Sequence, residues 1–101
     1  MPASDLADYA IVLDANDNVA TALADVPPGR YVLNEAGRSR EMTIAEPIPA
    51  GFKLALTDIA PGEQITKYGY AIGVATALIE QGQCVHVHNM AGTARTDRGT
   101  A

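Results

Sequence analysis

Apolar residues along this chain come in short runs, broken by Gly, Pro and Asx residues at close intervals. Alternation of Tyr9, Ile11 and Leu13 predicts a first strand over residues 8–14. Further strands are expected over residues 30–33, 38–45, 53–56, 65–68, 72–77 and 84–88, with a hairpin turn at Asn34-Glu-Ala-Gly37. One stretch departs from the two-residue period. Asn16-Asp17 offers an N-cap, and Val19, Ala20 and Leu23 fall at helical spacing, which predicts a short helix to about residue 24.

One phrase recurs: an aliphatic residue, two residues, Gly, two residues, an apolar residue. It begins at Val26, Ile48, Ile59 and Ile79, with its glycine at 29, 51, 62 and 82. Pro-Gly and Ala-Gly pairs suit turns in which Gly takes the positive φ position. Each instance therefore predicts a strand end, a tight turn and a new strand. The glycine spacings of 22, 11 and 20 residues are irregular, so the chain is not a solenoid. A small, pseudo-symmetric all-β fold of short strands is the expectation, with one short helix.

At 101 residues the length suits one domain. That domain is expected over residues 8–90, between an N-terminal tail (1–7) and a small, polar, flexible C-terminal tail (91–101). The core must rest on Ala, Val, Ile and Leu, since there are four Tyr, one Phe and no Trp. A net charge of −5 with scattered acids argues against binding a phosphate backbone. Arg38 with Arg40, and Arg95 with Arg98, are local exceptions without aromatics for base stacking. No run approaches the roughly 18 apolar residues of a membrane span. The N-terminus lacks a secretory pattern, and one cysteine permits no internal disulfide, so a cytoplasmic protein is expected, with neither nucleic acid nor membrane as partner.

Chemistry concentrates in Cys84-Val85-His86-Val87-His88-Asn89, which holds both histidines of the chain. On a strand, Cys84, His86 and His88 would share one face, and the two imidazoles would lie roughly 6–7 Å apart. Such a pair can meet on one metal or one anionic substrate. It can equally be a surface strand whose histidines hydrogen-bond a loop. Two ligands do not complete a metal site, because catalytic zinc takes three and iron often two His and a carboxylate. Cys84 is a possible soft ligand or a small buried hydrophobe. Lys67-Tyr68-Gly69 sets a cation and a phenol beside a turn; the lysine can bind a carboxylate as a point charge or simply end a strand at the surface. Lys53 reads as structural, Asp17 as a helix cap and Asp58 as a turn residue. A P-loop, a dinucleotide fingerprint and a Gly-x-Ser-x-Gly elbow are all absent.

Several motifs occur in a telling order: Asp17-Asn18-Val19-Ala20, then Gly51-Phe-Lys53-Leu-Ala55-Leu56-Thr-Asp58-Ile59, then Lys67-Tyr68-Gly69 with Ile72-Gly73, then Gly82 and His86-Val-His88-Asn89. Over roughly residues 8–90 the chain resembles the N-terminal domain of the altronate and galactarate dehydratase (UxaA) family. That domain is similar to SAF domains, named for sialic acid synthase, antifreeze-like and flagellar chaperone proteins, and the resemblance implies their β-clip fold. In many relatives the domain is fused to a much larger catalytic domain; in others, including the sulfolactate sulfo-lyases, it is a separate small subunit.

The resemblance implies a small subunit of a hydro-lyase, completing the active site of a separate large catalytic subunit. The substrate would be a sugar acid or related hydroxy-carboxylate. The proton α to the carboxylate is removed and the β-hydroxyl leaves, giving an enol that becomes a 2-keto-3-deoxy acid. A divalent metal, by resemblance iron, would be bound mainly by the large subunit. On this chain His86 and His88 would act as ligands or acid–base groups, Lys67 would lie near the carboxylate, and Tyr68, Lys53 and Asn89 would help hold the substrate. Phe52 and Cys84 stand where relatives often carry histidine, which places the chain on a divergent branch. The alternative is a stand-alone SAF-type module that binds a carbohydrate or protein without catalysis.

Overall fold

Where the chain alternates apolar and polar residues it pairs into strands, and where Gly and Pro interrupt, it turns. The computed structural model describes residues 3–35 and 37–92. Ten short strands follow one another: β1 (Ser4–Asp5), β2 (Ala10–Ile11), β3 (Val19–Ala22), β4 (Gly29–Glu35), β5 (Arg38–Ile44), β6 (Lys53–Ala55), β7 (Gln64–Lys67), β8 (Tyr70–Ala75), β9 (Cys84–Val85) and β10 (Met90–Gly92). They form three small sheets, ordered β1-β4-β5, β2-β3-β6-β9 and β10-β8-β7. All pairings are antiparallel except β1 with β4. The fold is all-β, as expected.

The predicted helix is not there. Residues 19–22 form β3, in the middle of the four-stranded sheet between β2 and β6. Ala20 and Ala22 face one hydrophobic core and Val19 faces a second. A strand covered on both faces loses its polar alternation, so a run of apolar residues imitates helical spacing. The same double burial marks β6 and its exit, where Leu54 and Leu56 face the first core and Ala55 the second. The four-stranded sheet thus divides two cores. The first contains Leu6, Tyr31, Leu33, Met42, Ile44 and Ile48, and the second contains Ile59, Ile65, Ala75, Ile79 and Val85.

The only helical turn among the described residues is a 3-10 turn, Leu6–Asp8, capped by the Asp5 carboxylate. The expected strand over residues 8–14 shrinks to β2. Asp14 then caps its own loop, accepting from the Asn16 N–H at 2.8 Å. The ordered domain is wider than residues 8–90. Ser4 and Asp5 pair with β4 and Leu6 is fully buried, while Ala91 and Gly92 pair with Val74 and Gly73. The rest of the predicted C-terminal tail, from residue 93, lies outside the described residues.

The repeated phrase makes its predicted glycine turn in three of its four instances; at Gly29 φ is +156° and the residue opens β4 instead. Val26 pairs with Ile48, and Ile59 with Ile79, as isolated antiparallel bridges in the cores. At Gly51, Gly62 and Gly82 φ is +89°, +86° and +88°, the value a type II turn requires at its third residue. Each of these glycines donates its N–H to the carbonyl of a buried alanine: Gly51 to Ala22 at 2.7 Å, Gly82 to Ala55 at 2.8 Å, Gly62 to Ala75 at 2.8 Å. The residue after each glycine returns the bond, its carbonyl accepting from the same alanine N–H at 2.8, 2.9 and 2.9 Å. A Cβ on Gly51 would meet open space, whereas one on Gly82 would strike the Thr43 carbonyl oxygen. Gly51→Ala is therefore expected to cost about 1–2 kcal/mol, the penalty for a left-handed residue, and Gly82→Ala clearly more; urea unfolding of the two variants measures the difference.

Candidate functional site

The predicted histidine strand ends early. β9 stops at Val85, and the chain folds into a tight loop because the Asn89 side chain captures it. Asn89 accepts from the His86 N–H at 3.0 Å, donates to the Cys84 carbonyl at 2.9 Å, and its own N–H reaches the His86 carbonyl at 3.0 Å. Alternation therefore breaks between His86 and His88, and the expected common strand face is not formed. His86 packs against Phe52, with ring centroids 4.4 Å apart. His88 is exposed and lines an open cleft of about 530 Å³ with Glu46, Phe52, Leu78 and Cys84. Asn89, which makes these three bonds, is buried at the base of the loop.

Phe52 and Lys53 are neighbours on β6 and its entry, so they point to opposite faces of the sheet. Phe52 and Cys84 pack against the first core. Lys53 lies opposite Val85 in the ladder, on the face of the second core, and is half-buried. Burial holds its ammonium below the ordinary pKa of 10.5; the Lys67 charge pushes the same way and Cys84 opposes both. Two lysines thus act on one another from β6 and β7, in a chain of net charge −5. The Lys67 ammonium sits 4.8 Å from the centroid of the Tyr68 ring. Neither lysine lines the cleft that holds His88.

The candidate groups therefore fall into two sets. One is an imidazole, a thiol and a carboxylate (His88, Cys84, Glu46) around an apolar floor. Burial, followed by the nearby Glu46 charge, raises the Cys84 thiol above its ordinary 9.0, with Lys53 acting against both. Cys84 is thus a neutral thiol near neutral pH. The other set is the Lys53–Lys67 pair beside Tyr68, suited to an anion. No group of three His, Cys, Asp or Glu side chains able to hold a metal occurs among the described residues. These side chains do not by themselves fit a metal centre.

Sequence reasoning missed three contributors. Asp17, read as a helix cap, sends its carboxylate to the β7–β8 turn, accepting from Tyr68 N–H at 3.0 Å and Gly69 N–H at 2.9 Å. Glu46 and Leu78 join the cleft from segments remote in sequence, which no local pattern signals. Asp58 does serve a turn, accepting from the Gln81 N–H at 2.8 Å.

A small all-β module with an open cleft and a half-buried lysine pair is the class these features define. The chain belongs to the altronate/galactarate dehydratase SAF domain family, whose pattern matches residues 8–93. It is 44% identical over 79 residues to the altronate dehydratase of Escherichia coli (strain K12), covering 78% of this chain and 15% of that protein. It is 39% identical over 79 residues to the altronate dehydratase of Bacillus subtilis (strain 168), with the same two coverages of 78% and 15%. It is 34% identical over 84 residues to the (2R)-sulfolactate sulfo-lyase subunit alpha of Chromohalobacter salexigens, covering 79% of this chain and 89% of that subunit. The chain thus spans a small fraction of the altronate dehydratases but nearly the whole of the sulfo-lyase subunit.

Lys53 is desolvated and repelled by Lys67, so its charged form disfavours the fold. That cost is fully present at neutral pH and disappears as pH rises through the lowered folded pKa toward 10.5. Lys53→Met is expected to raise the thermal midpoint at pH 7, with the gain shrinking as pH approaches 10; melting curves across that range check the sign.

Proposed function

We propose that this chain is the small subunit of a lyase that acts on a sugar acid or related hydroxy-carboxylate, working with a separate large catalytic subunit in the cytoplasm. The observation that carries this reading is its 89% coverage of a sulfo-lyase subunit alpha. The open cleft agrees with it, since among the described residues its lining holds an imidazole and a carboxylate but no lysine or arginine to hold an anionic substrate. Among the described residues no helix is long and apolar enough to cross a membrane.

On this reading the substrate lies between the two subunits. Lys67, Lys53 and Tyr68, expected from the resemblance to hold the substrate, lie away from the cleft that carries His88, so on this reading the cation for the substrate carboxylate comes from the large subunit. His88, exposed at the rim, takes or gives the proton that moves when the α-carbon is deprotonated and the β-substituent leaves. His86 packs at a tilt against Phe52 of the cleft wall, and Asn89 holds the loop that carries both histidines. A divalent metal, by resemblance iron, would be the large subunit's; bound there, it would stabilise charge developing on the substrate as a Lewis acid.

The test begins with the tagged chain in its native cells and identification of what co-purifies. A companion of dehydratase size is then mixed with the purified chain, and lyase activity is measured on altronate, galactarate and (2R)-sulfolactate. Activity that needs both chains is expected. His88→Ala should lower kcat by roughly a hundredfold or more with an unchanged melting temperature, because the imidazole is exposed. Full activity from the large chain alone excludes this reading, and tight sugar-acid binding by the isolated chain would favour a non-catalytic binding module.

A further inference from the structure

The β7–β8 hairpin turns through Tyr68 and Gly69, whose φ angles are +59° and +78°. Positive φ at both central residues is the type I′ arrangement, for which Asn-Gly is the ordinary choice. Tyr68 is the only non-glycine residue with positive φ among the described residues. A bulky side chain is strained there and persists only where its surroundings hold it.

The surroundings do hold it. Asp17, only 7% exposed, takes both turn N–H groups on its two carboxylate oxygens. Asn18 secures the strand leading in, accepting from Thr66 N–H at 2.8 Å and donating to the Gln64 carbonyl at 2.9 Å. A Cβ on Gly69 would meet the Asp14 carboxylate at 2.9 Å, a side-chain end that can move, so it is the φ of +78° that favours glycine at the second turn position. Asp17 is thus committed to the two-residue turn and Asn18 to the strand that leads into it.

The outcome is an outward display. Tyr68 is 48% and Tyr70 75% exposed, with the Lys67 ammonium over the Tyr68 ring. Tyr9, Tyr31 and Phe52, the other aromatics of the chain, pack into or against the first core. Asparagine at position 68 would make the same turn without strain, so turn geometry does not account for the phenol. Tyrosine pairs a rigid apolar body with a polar tip and is enriched at protein interfaces.

We propose that the tip formed by residues 67–70 is a contact this chain makes with its large subunit, with Tyr68 as the anchor and Asp17 as the positioning residue. The inference rests on the subunit reading above. The matched region is 15% of the altronate dehydratases, and the sulfo-lyase relative is named as a subunit, so each relative has further protein for such a module to meet. The complementary recess would be apolar-walled, with acceptor oxygens for the phenols and a carboxylate for Lys67.

Binding of the full-length chain to the isolated large subunit is measured by calorimetry, alongside melting curves. Tyr68→Asn is expected to raise the melting temperature by roughly 4 °C, as relief of a left-handed strain would in a domain of this size, while weakening binding at least tenfold. Asp17→Ala is expected to lower both stability and affinity, and Asp17→Asn, which keeps one acceptor, to restore part of each. Tyr68→Asn that binds like the wild type, or that melts lower, overturns this inference and leaves the subunit reading standing. A wild-type chain that does not bind the large subunit overturns both.

Discussion

Three buried alanines, Ala22, Ala55 and Ala75, each exchange two backbone hydrogen bonds with a glycine turn, and the rest of the molecule is arranged around that exchange. Strand ends that enter a core carry N–H and C=O groups that water cannot reach, so each needs a partner inside the protein. A type II turn with glycine at positive φ aims one N–H and one C=O at the same neighbour. Repeated three times, it closes strand ends that are too short to support long ladders. It also delivers Val26, Ile48, Ile59 and Ile79 to the interior, where they pair two and two.

That arrangement places two cores on the two faces of one four-stranded sheet, and the chemistry inherits the division. β6 carries Phe52 at its entry toward one face and Lys53 toward the other. An imidazole, a thiol and a carboxylate gather around the first, while a lysine pair gathers at the second. Neither set encloses a ligand, which suits a module whose site is finished by another surface. Phe52 gives His86 an aromatic ring to lie against.

Much of the fold was legible because its signals are local. Tyr31 and Leu33 on one strand, and Met42 and Ile44 on the next, alternate cleanly, and the β4–β5 hairpin, in which Tyr31 lies opposite Met42, follows from them. The glycine phrases announced their turns for the same reason: a positive φ leaves a mark on residue choice. The helix predicted after Asp17 failed for a nonlocal reason. Val19 and Ala20 are buried on opposite faces, and no pattern in the strand itself reveals that its second face will be covered. The histidine strand failed likewise, since Asn89 folds back on Cys84 and His86 and ends the ladder before the alternation is complete.

The residues alone determined an all-β chain of short strands, turning at glycines and carrying its chemistry on His86, His88, Lys53 and Lys67. These are properties of φ preference, side-chain size and charge, which belong to each residue wherever it sits. Which of those groups meet was decided only by the tertiary structure. Lys53 and Lys67 act on one another, Asp17 reaches the turn at Tyr68 across the sheet, and Glu46 joins Cys84 at the cleft, all because strands distant in sequence are brought together by burial. Contact between remote residues depends on how two cores share one sheet, and that is set by packing over the whole chain.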